Sequence, residues 1–206
     1  MNWVKGENIR DGWMTAPEAE RESLLKQLKR YIQEFRNLPH PKPGAVAAVD
    51  MQSLYDFRIH RGMFVFGLFA NESDFHRFER YGLQLDFDIL DKEKTWIEAG
   101  EVDDLRRMIE IQDGKNRKVC FTHGDLHGAN ILVRKGKIVA IIDFELSGFY
   151  PEYWEYTTAM VGIHGEDFWR KEIPKFLDPY PEELEMESIR RKHFGREGYQ
   201  NQFEWY

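Results

Sequence analysis

Apolar positions first fall into a helical rhythm at Leu24, Leu28, Tyr31, Ile32, Phe35 and Leu38. Three- and four-residue spacing puts them on one stripe. It predicts a core-facing helix over residues 17–38, opened by Pro17 in its first turn and capped by Thr15. Pro39, Pro41, Pro43 and Gly44 end it. The pattern is irregular from there to Ser73, with Gly62 and Gly67 breaking an apolar stretch. Ser73 or Asp74 is placed to cap a helix carrying Phe75, Phe78 and Leu85. Between Asp86 and Asp113 charges alternate around Ile89, Leu90, Trp96, Leu105, Met108 and Ile109. That stretch reads as one or two helices with a break at Gly100. β-type runs gather only further on, at residues 118–122, 131–133 and 138–142. The last two join through Arg134-Lys135-Gly136-Lys137, a hairpin with glycine in its turn. Helical character returns after Pro151, with Tyr153, Tyr156, Thr157, Met160 and Val161 on one face. The tail beyond Pro181 is charged, with one more helix and an aromatic end at Phe203, Trp205 and Tyr206. The expected fold is α+β, mostly α, over a single domain of 1–206.

Composition narrows the class. Of 206 residues 15% are aromatic and 42% hydrophobic, which excludes overall disorder. The longest apolar run, residues 63–70, is far short of the ~20 a membrane span needs. Twenty-nine basic against 36 acidic residues give a net charge of −7. That argues against general nucleic-acid binding, which rests on neutralising phosphates. A lone Cys120 forms no internal disulfide, and the first ten residues show no apolar signal core. The expectation is a cytoplasmic chain acting on a small molecule, with no nucleic-acid or membrane partner.

The chemistry gathers at residues 121–145. Phe-Thr-His-Gly-Asp-Leu-His-Gly-Ala-Asn runs from a strand into a loop holding His123, Asp125, His127 and Asn130. The hairpin then brings the chain back to Asp143, in Ile-Ile-Asp-Phe-Glu. Asp125, Asn130 and Asp143 can therefore converge at one end of a small sheet. One carboxylate can take a proton, while an amide oxygen and a second carboxylate are hard ligands suited to Mg²⁺. Phosphoryl transfer needs that division of labour. A zinc cluster of His123, Asp125 and His127 is the competing reading of the loop.

The run His-Gly-Asp-Leu-His-Gly-Ala-Asn-Ile-Leu-Val, a hairpin, and Ile-Ile-Asp-Phe-Glu resembles the aminoglycoside phosphotransferase and choline kinase family, in its fungal-type branch. Gly148-Phe-Tyr-Pro-Glu-Tyr-Trp-Glu-Tyr resembles that branch too, and Met1-Asn-Trp-Val-Lys-Gly-Glu-Asn resembles the family's hinge between two lobes. The resemblance covers roughly residues 1–165. It implies the C-terminal, catalytic lobe of a protein-kinase-like fold: a hinge at 1–13, a helical lobe at 14–180 with the catalytic loop at 121–145, and a charged tail at 181–206. It implies Asp125 as catalytic base and His123 as the loop histidine that braces it. It implies Asn130 and Asp143 as ligands of Mg²⁺ and ATP, and Glu155 as an acidic tether of the loop. His127, Glu145, Tyr153 and Trp154 are candidates for contact with the acceptor.

In the family a lobe carrying a loop over the phosphates precedes the hinge. This sequence opens at the hinge-like segment, with no glycine-rich strand–turn–strand upstream of the catalytic loop. Weak nucleotide binding is therefore expected. An uncovered face with Trp3, Val4 and Ile9 is expected to serve self-association or a partner. Three functions stay open: ATP- and Mg²⁺-dependent phosphoryl transfer to a small-molecule hydroxyl, a lobe repurposed for other chemistry on a small metabolite, and a non-catalytic pseudokinase that binds a partner.

Overall fold

The computed structural model describes residues 4–60, 63–84, 101–161 and 167–195. They form two compact units, 1–41 with 120–180, and 42–119 with 181–206. No helix among the described residues is long and apolar enough to cross a membrane.

The first unit holds the loop of interest. A short strand β1 (Glu7–Asn8) leads through one helical turn, α1 (Ile9–Gly12), to the long helix α2 (Glu18–Arg36). Leu24, Leu25, Leu28 and Ile32 of α2 are buried, as the apolar stripe requires. Pro17 lies one position earlier than expected, at the N-cap with an extended ψ of 146°, and no side chain caps the helix. Thr15 instead donates its hydroxyl to the carbonyl of Gly12. β4 (Val119–Thr122) pairs with β7 (Gly148–Pro151), and β5 (Ile131–Arg134) with β6 (Lys137–Ile141). β1 adds to the free side of β5, with Glu7 opposite Val133 and Asn8 opposite Leu132. The hinge-like segment is thus the third strand of a β1–β5–β6 sheet. The β5–β6 turn is tight because Lys135 and Gly136 both take positive φ, +52° and +69°. Two further helices, α5 (Trp154–Val161) and α6 (Asp167–Phe176), complete the unit. Their core centres on Trp13 edge-on to Trp169 at 5.4 Å and on Tyr150 stacked on Trp154 at 5.1 Å.

The second unit corrects the sequence reading at several points. Residues 54–60 and 63–66, expected to be irregular, pair as antiparallel strands β2 (Leu54–His60) and β3 (Met63–Phe66), so β structure is not confined to 118–142. The next helix, α3 (Glu72–Glu79), is capped by Asn71, whose Oδ1 accepts from the Asp74 amide at 2.9 Å, and not by Ser73 or Asp74. α4 (Val102–Gly114) buries Leu105, Met108 and Ile109. Leu85, Ile89, Leu90, Trp96 and Gly100 lie outside the described residues. α7 (Pro181–Phe194) is the expected helix of the charged tail, but it buries Glu183, Glu187 and Arg190 along with Met186.

The expected hinge patch is also revised. Ile9 is buried, Val4 is exposed, and Trp3 lies outside the described residues.

Candidate active site

Strand β4 delivers the chain to His123, and the loop after it is fixed by side chains that bond its backbone. Gly124 turns the chain at φ +84°, and a Cβ there would lie 2.4 Å from the Leu146 carbonyl oxygen. Only glycine meets both demands. Glu155, in the first turn of α5 and 3% exposed, accepts from the His123 amide at 2.6 Å and from the Gly124 amide at 3.1 Å. One buried carboxylate therefore satisfies two loop N–H groups that would otherwise be stranded.

His123 is fully buried. Its Nε2 lies 2.9 Å from the Ile142 carbonyl oxygen, and its Nδ1 accepts from the Asp125 amide at 3.2 Å. A carbonyl only accepts, so the ring hydrogen sits on Nε2. Both ring nitrogens are spent on backbone, which removes the zinc-cluster reading of the loop. Among the described residues no group of three or more His, Cys, Asp or Glu side chains is placed to hold a metal.

After Asp125 a single 3₁₀ turn, Gly128–Asn130, is capped by His127, whose Nδ1 accepts from the Ala129 amide at 3.2 Å. That leaves the His127 hydrogen on Nε2, which lies 3.4 Å from Asp125 Oδ2. The Asn130 amide nitrogen donates to the same oxygen at 3.1 Å and to the Asp125 carbonyl at 2.9 Å. The Asn130 N–H therefore holds the Asp125 carboxylate, which is 29% exposed, with the His127 ring close by. The side-chain amide nitrogen of Asn130 is occupied by Asp125, which leaves its amide oxygen as the end to act as a ligand. Gly128 admits α1 alongside: a Cβ there would sit 3.0 Å from Arg10 Cβ.

Asp143 is set by its predecessor. The Ile142 amide donates to the Asn130 carbonyl at 2.9 Å, while the Ile142 carbonyl receives His123 Nε2–H. Both backbone groups of Ile142 are thus held by the loop of residues 123–130. Asp143 then turns at φ +67° with an exposed side chain. Its left-handed backbone is tolerated by aspartate at modest cost. Phe144 lays its ring over His123 at 4.5 Å, and the exposed Glu145 follows in the turn closed by Ser147 Oγ on the Phe144 carbonyl.

The structure thus brings Asp125, His127, Asn130 and Asp143 to one loop-and-hairpin end, with Glu155 and His123 beneath. It does not bring Tyr153 and Trp154 to a surface. Both are buried in the aromatic core, at 0% and 1% exposure, so neither lines an acceptor site. Their aromaticity in sequence reads equally as pocket or core, and packing decides for core. The sequence reading gave no role to Gly124, Ile142 or Phe144. Gly124 and Phe144 were legible as immediate neighbours of the named residues, whereas Ile142 acts through its backbone and leaves no side-chain signal.

The donor set fits a hard cation. An amide oxygen and a carboxylate, on backbone joined by the Ile142–Asn130 bond, suit Mg²⁺, which needs few protein ligands.

A family model described as the phosphotransferase enzyme family matches residues 1–192, and the chain belongs to that family. Similar solved structures include a thermostable mutant of aminoglycoside phosphotransferase APH(4)-Ia in a ternary complex with AMP-PNP and hygromycin B. The identity is 14% over 92% of this chain and 60% of that one, with a TM-score of 0.52. The gentamicin–APH(2″)-IIa complex gives 14% identity over 91% of this chain and 57% of that one, with a TM-score of 0.51. APH(4)-Ia itself gives 16% over 93% and 54%, with a TM-score of 0.50. At such identities the likeness establishes the fold. The chain spans only 54% to 60% of the length of these three relatives. No curated protein sequence gives a significant match.

Proposed function

We propose that the chain carries the catalytic loop of a small-molecule phosphotransferase, moving a phosphoryl group from ATP to a hydroxyl. The observation behind this is the joint placement of Asp125, Asn130 and Asp143, with Ile142 held between the loop and the hairpin. Mg²⁺, held by Asn130 and Asp143, would neutralise charge on the phosphates. Asp125 orients the acceptor hydroxyl and takes its proton. The Asn130 N–H keeps that carboxylate in one orientation. His123 and Glu155 are positioning residues, since their hydrogen bonds run to the backbone of the loop and of Ile142. Hydroxyl compounds of the type bound by the related enzymes, hygromycin B and gentamicin, are the first acceptors to try, with ATP and Mg²⁺.

A second reading rests on the His127–Asp125 contact at 3.4 Å. A partly buried acid–base pair could serve proton transfer on a small metabolite without nucleotide. The discriminating experiment is a turnover screen with and without ATP–Mg²⁺. Activity that ignores both would end the phosphotransferase reading and favour the second. Activity that requires both, and is lost in Asp125→Asn, supports the first.

A further inference from the structure

The β5–β6 hairpin runs between the two proposed ligands, with Asn130 just before β5 and Asp143 just after β6. β6 is an outer strand of the β1–β5–β6 sheet, so its outward backbone groups need partners from elsewhere. Gln27 of α2 supplies two. Its Nε2 donates to the Gly136 carbonyl and its Oε1 accepts from the Ile138 amide, each at 3.2 Å. One side-chain amide thus pairs with the strand edge as a neighbouring peptide group would.

The contact falls beside the weak point of the hairpin. Pairing passes from Leu132 opposite Ala140 to Val133 opposite Ile138, so Val139 is an extra residue on β6. A bulge leaves the ladder locally disrupted. Absorbing the extra residue into the ladder would slide the far end of the strand by about 3.3 Å. That end carries Ile142 and Asp143. The turn side of the bulge is gripped by Gln27, and the far side is held by the Leu132–Ala140 and Ile131–Ile141 pairs and by the Ile142 backbone bonds.

We propose that Gln27 is a register pin: by holding Gly136 and Ile138 it keeps the extra residue Val139 in the bulge and out of the ladder, and so fixes the spacing of Asn130 and Asp143. Gln27 is a positioning residue about one hairpin's length from the chemistry. Its consequence for Mg²⁺ rests on the phosphotransferase reading, while its mechanical effect does not.

The test compares the wild-type chain with Gln27→Ala and Gln27→Glu by amide hydrogen exchange and by titration with Mg²⁺ alone, followed at the Asp143 amide resonance. Gln27→Glu keeps the acceptor for Ile138 and loses the donor to Gly136. It serves if Gln27→Ala does not fold. Protection at Ile138 is expected to fall about fivefold or more in Gln27→Ala. Protection at Ile142 should fall with it, the Asp143 resonance should move, and Gln27→Glu should lie between. The Ile32 amide in α2 is the reference for global opening. Loss of protection at Ile138 with Ile142 and Asp143 unchanged would overturn the pin and leave Gln27 as simple helix-to-hairpin glue. If Mg²⁺ leaves wild-type Asp143 unmoved, the metal-ligand reading fails, and the Ile142 exchange still decides the pin.

Discussion

At the scale of single residues, Asp125 and Asp143 differ in what holds them, and the difference is measurable. Asp125 Oδ2 accepts from Asn130, so Asp125→Asn keeps the shape of the loop while removing the proposed base. Turnover should fall by about 10²–10⁴-fold with little change in melting temperature. Asp143 makes no such contacts in the loop, and Asp143→Asn should raise the Mg²⁺ concentration needed for half-maximal rate. Unchanged turnover in Asp125→Asn would end its assignment as base. Two buried groups of the second unit predict a pH profile for stability. Glu79, fully buried and without a hydrogen bond, is pushed up to about 8 by desolvation. Arg190 lies 3.3 Å away but spends its guanidinium on Glu187 at 2.6 and 2.8 Å, so Glu187 is the charged partner and Glu79 the protonated one. His76 is pushed down to about 3 by burial and then by Arg117 and Arg80. A raised pKa gives stability that is full below the ordinary value of 4.5 and lost as pH climbs through about 8. A lowered pKa gives stability that is full above 6.5 and lost as pH falls towards 3. Between 4.5 and 6.5 the folded and unfolded states bind equal numbers of protons at these two sites, so their combined contribution is flat there. Above 6.5 it declines towards pH 8. Melting curves across pH should show that decline in the wild type and not in Glu79→Gln.

At the scale of elements, the loop is held to α5 by Glu155 and to the following turn by Gly124. Glu155→Gln keeps one acceptor oxygen and turns an NH₂ against the other backbone amide. It should cost about 1.5–3 kcal/mol of stability along with activity, read as a lowered melting temperature. Gly124→Ala should cost about 2 kcal/mol or more, because a left-handed φ and the Leu146 carbonyl both oppose a Cβ. A stable, active Gly124→Ala would show that the loop relaxes more than this geometry allows. The same elements show what the sequence could reveal. α2 was visible because Leu24, Leu28 and Ile32 keep helical spacing and are buried. The β5–β6 hairpin was visible through its glycine turn. The β2–β3 hairpin was not, because its polarity is inverted: Asp56 is buried beside Arg58 while Tyr55 is exposed. Alternation then carries no hydrophobic signal. α7 was read as a charged tail because Glu187 and Arg190 satisfy each other inside the unit. Charge pairing across three residues of a helix looks, in sequence, like any solvated face.

At the scale of the whole chain, the family was legible in one contiguous run, residues 123–145, because the chemistry there is concentrated in backbone-fixed neighbours. The nucleotide side was less so. The resemblance places nucleotide between two lobes in this family, with a loop over the phosphates on one of them. The described residues supply a hinge-like strand β1, the proposed ligands Asn130 and Asp143, and the Asp125 carboxylate. None of the described elements offers a glycine-rich loop to cover phosphates, and the chain spans 54% to 60% of the relatives' length. Oxyanion and phosphate stabilisation depends on groups arranged around the charge, and contacts from one side give only part of it. The 206-residue chain taken alone is therefore expected to bind ATP at millimolar strength or weaker, about 4 kcal/mol or less. Calorimetric titration with ATP, with and without Mg²⁺, measures this directly. A signal at millimolar nucleotide that disappears without Mg²⁺ and weakens in Asp143→Asn is the expected result. Micromolar, Mg²⁺-dependent binding would refute the weak-binding expectation, because one lobe would then hold the phosphates unaided, and it would make direct kinase turnover by this chain the immediate experiment.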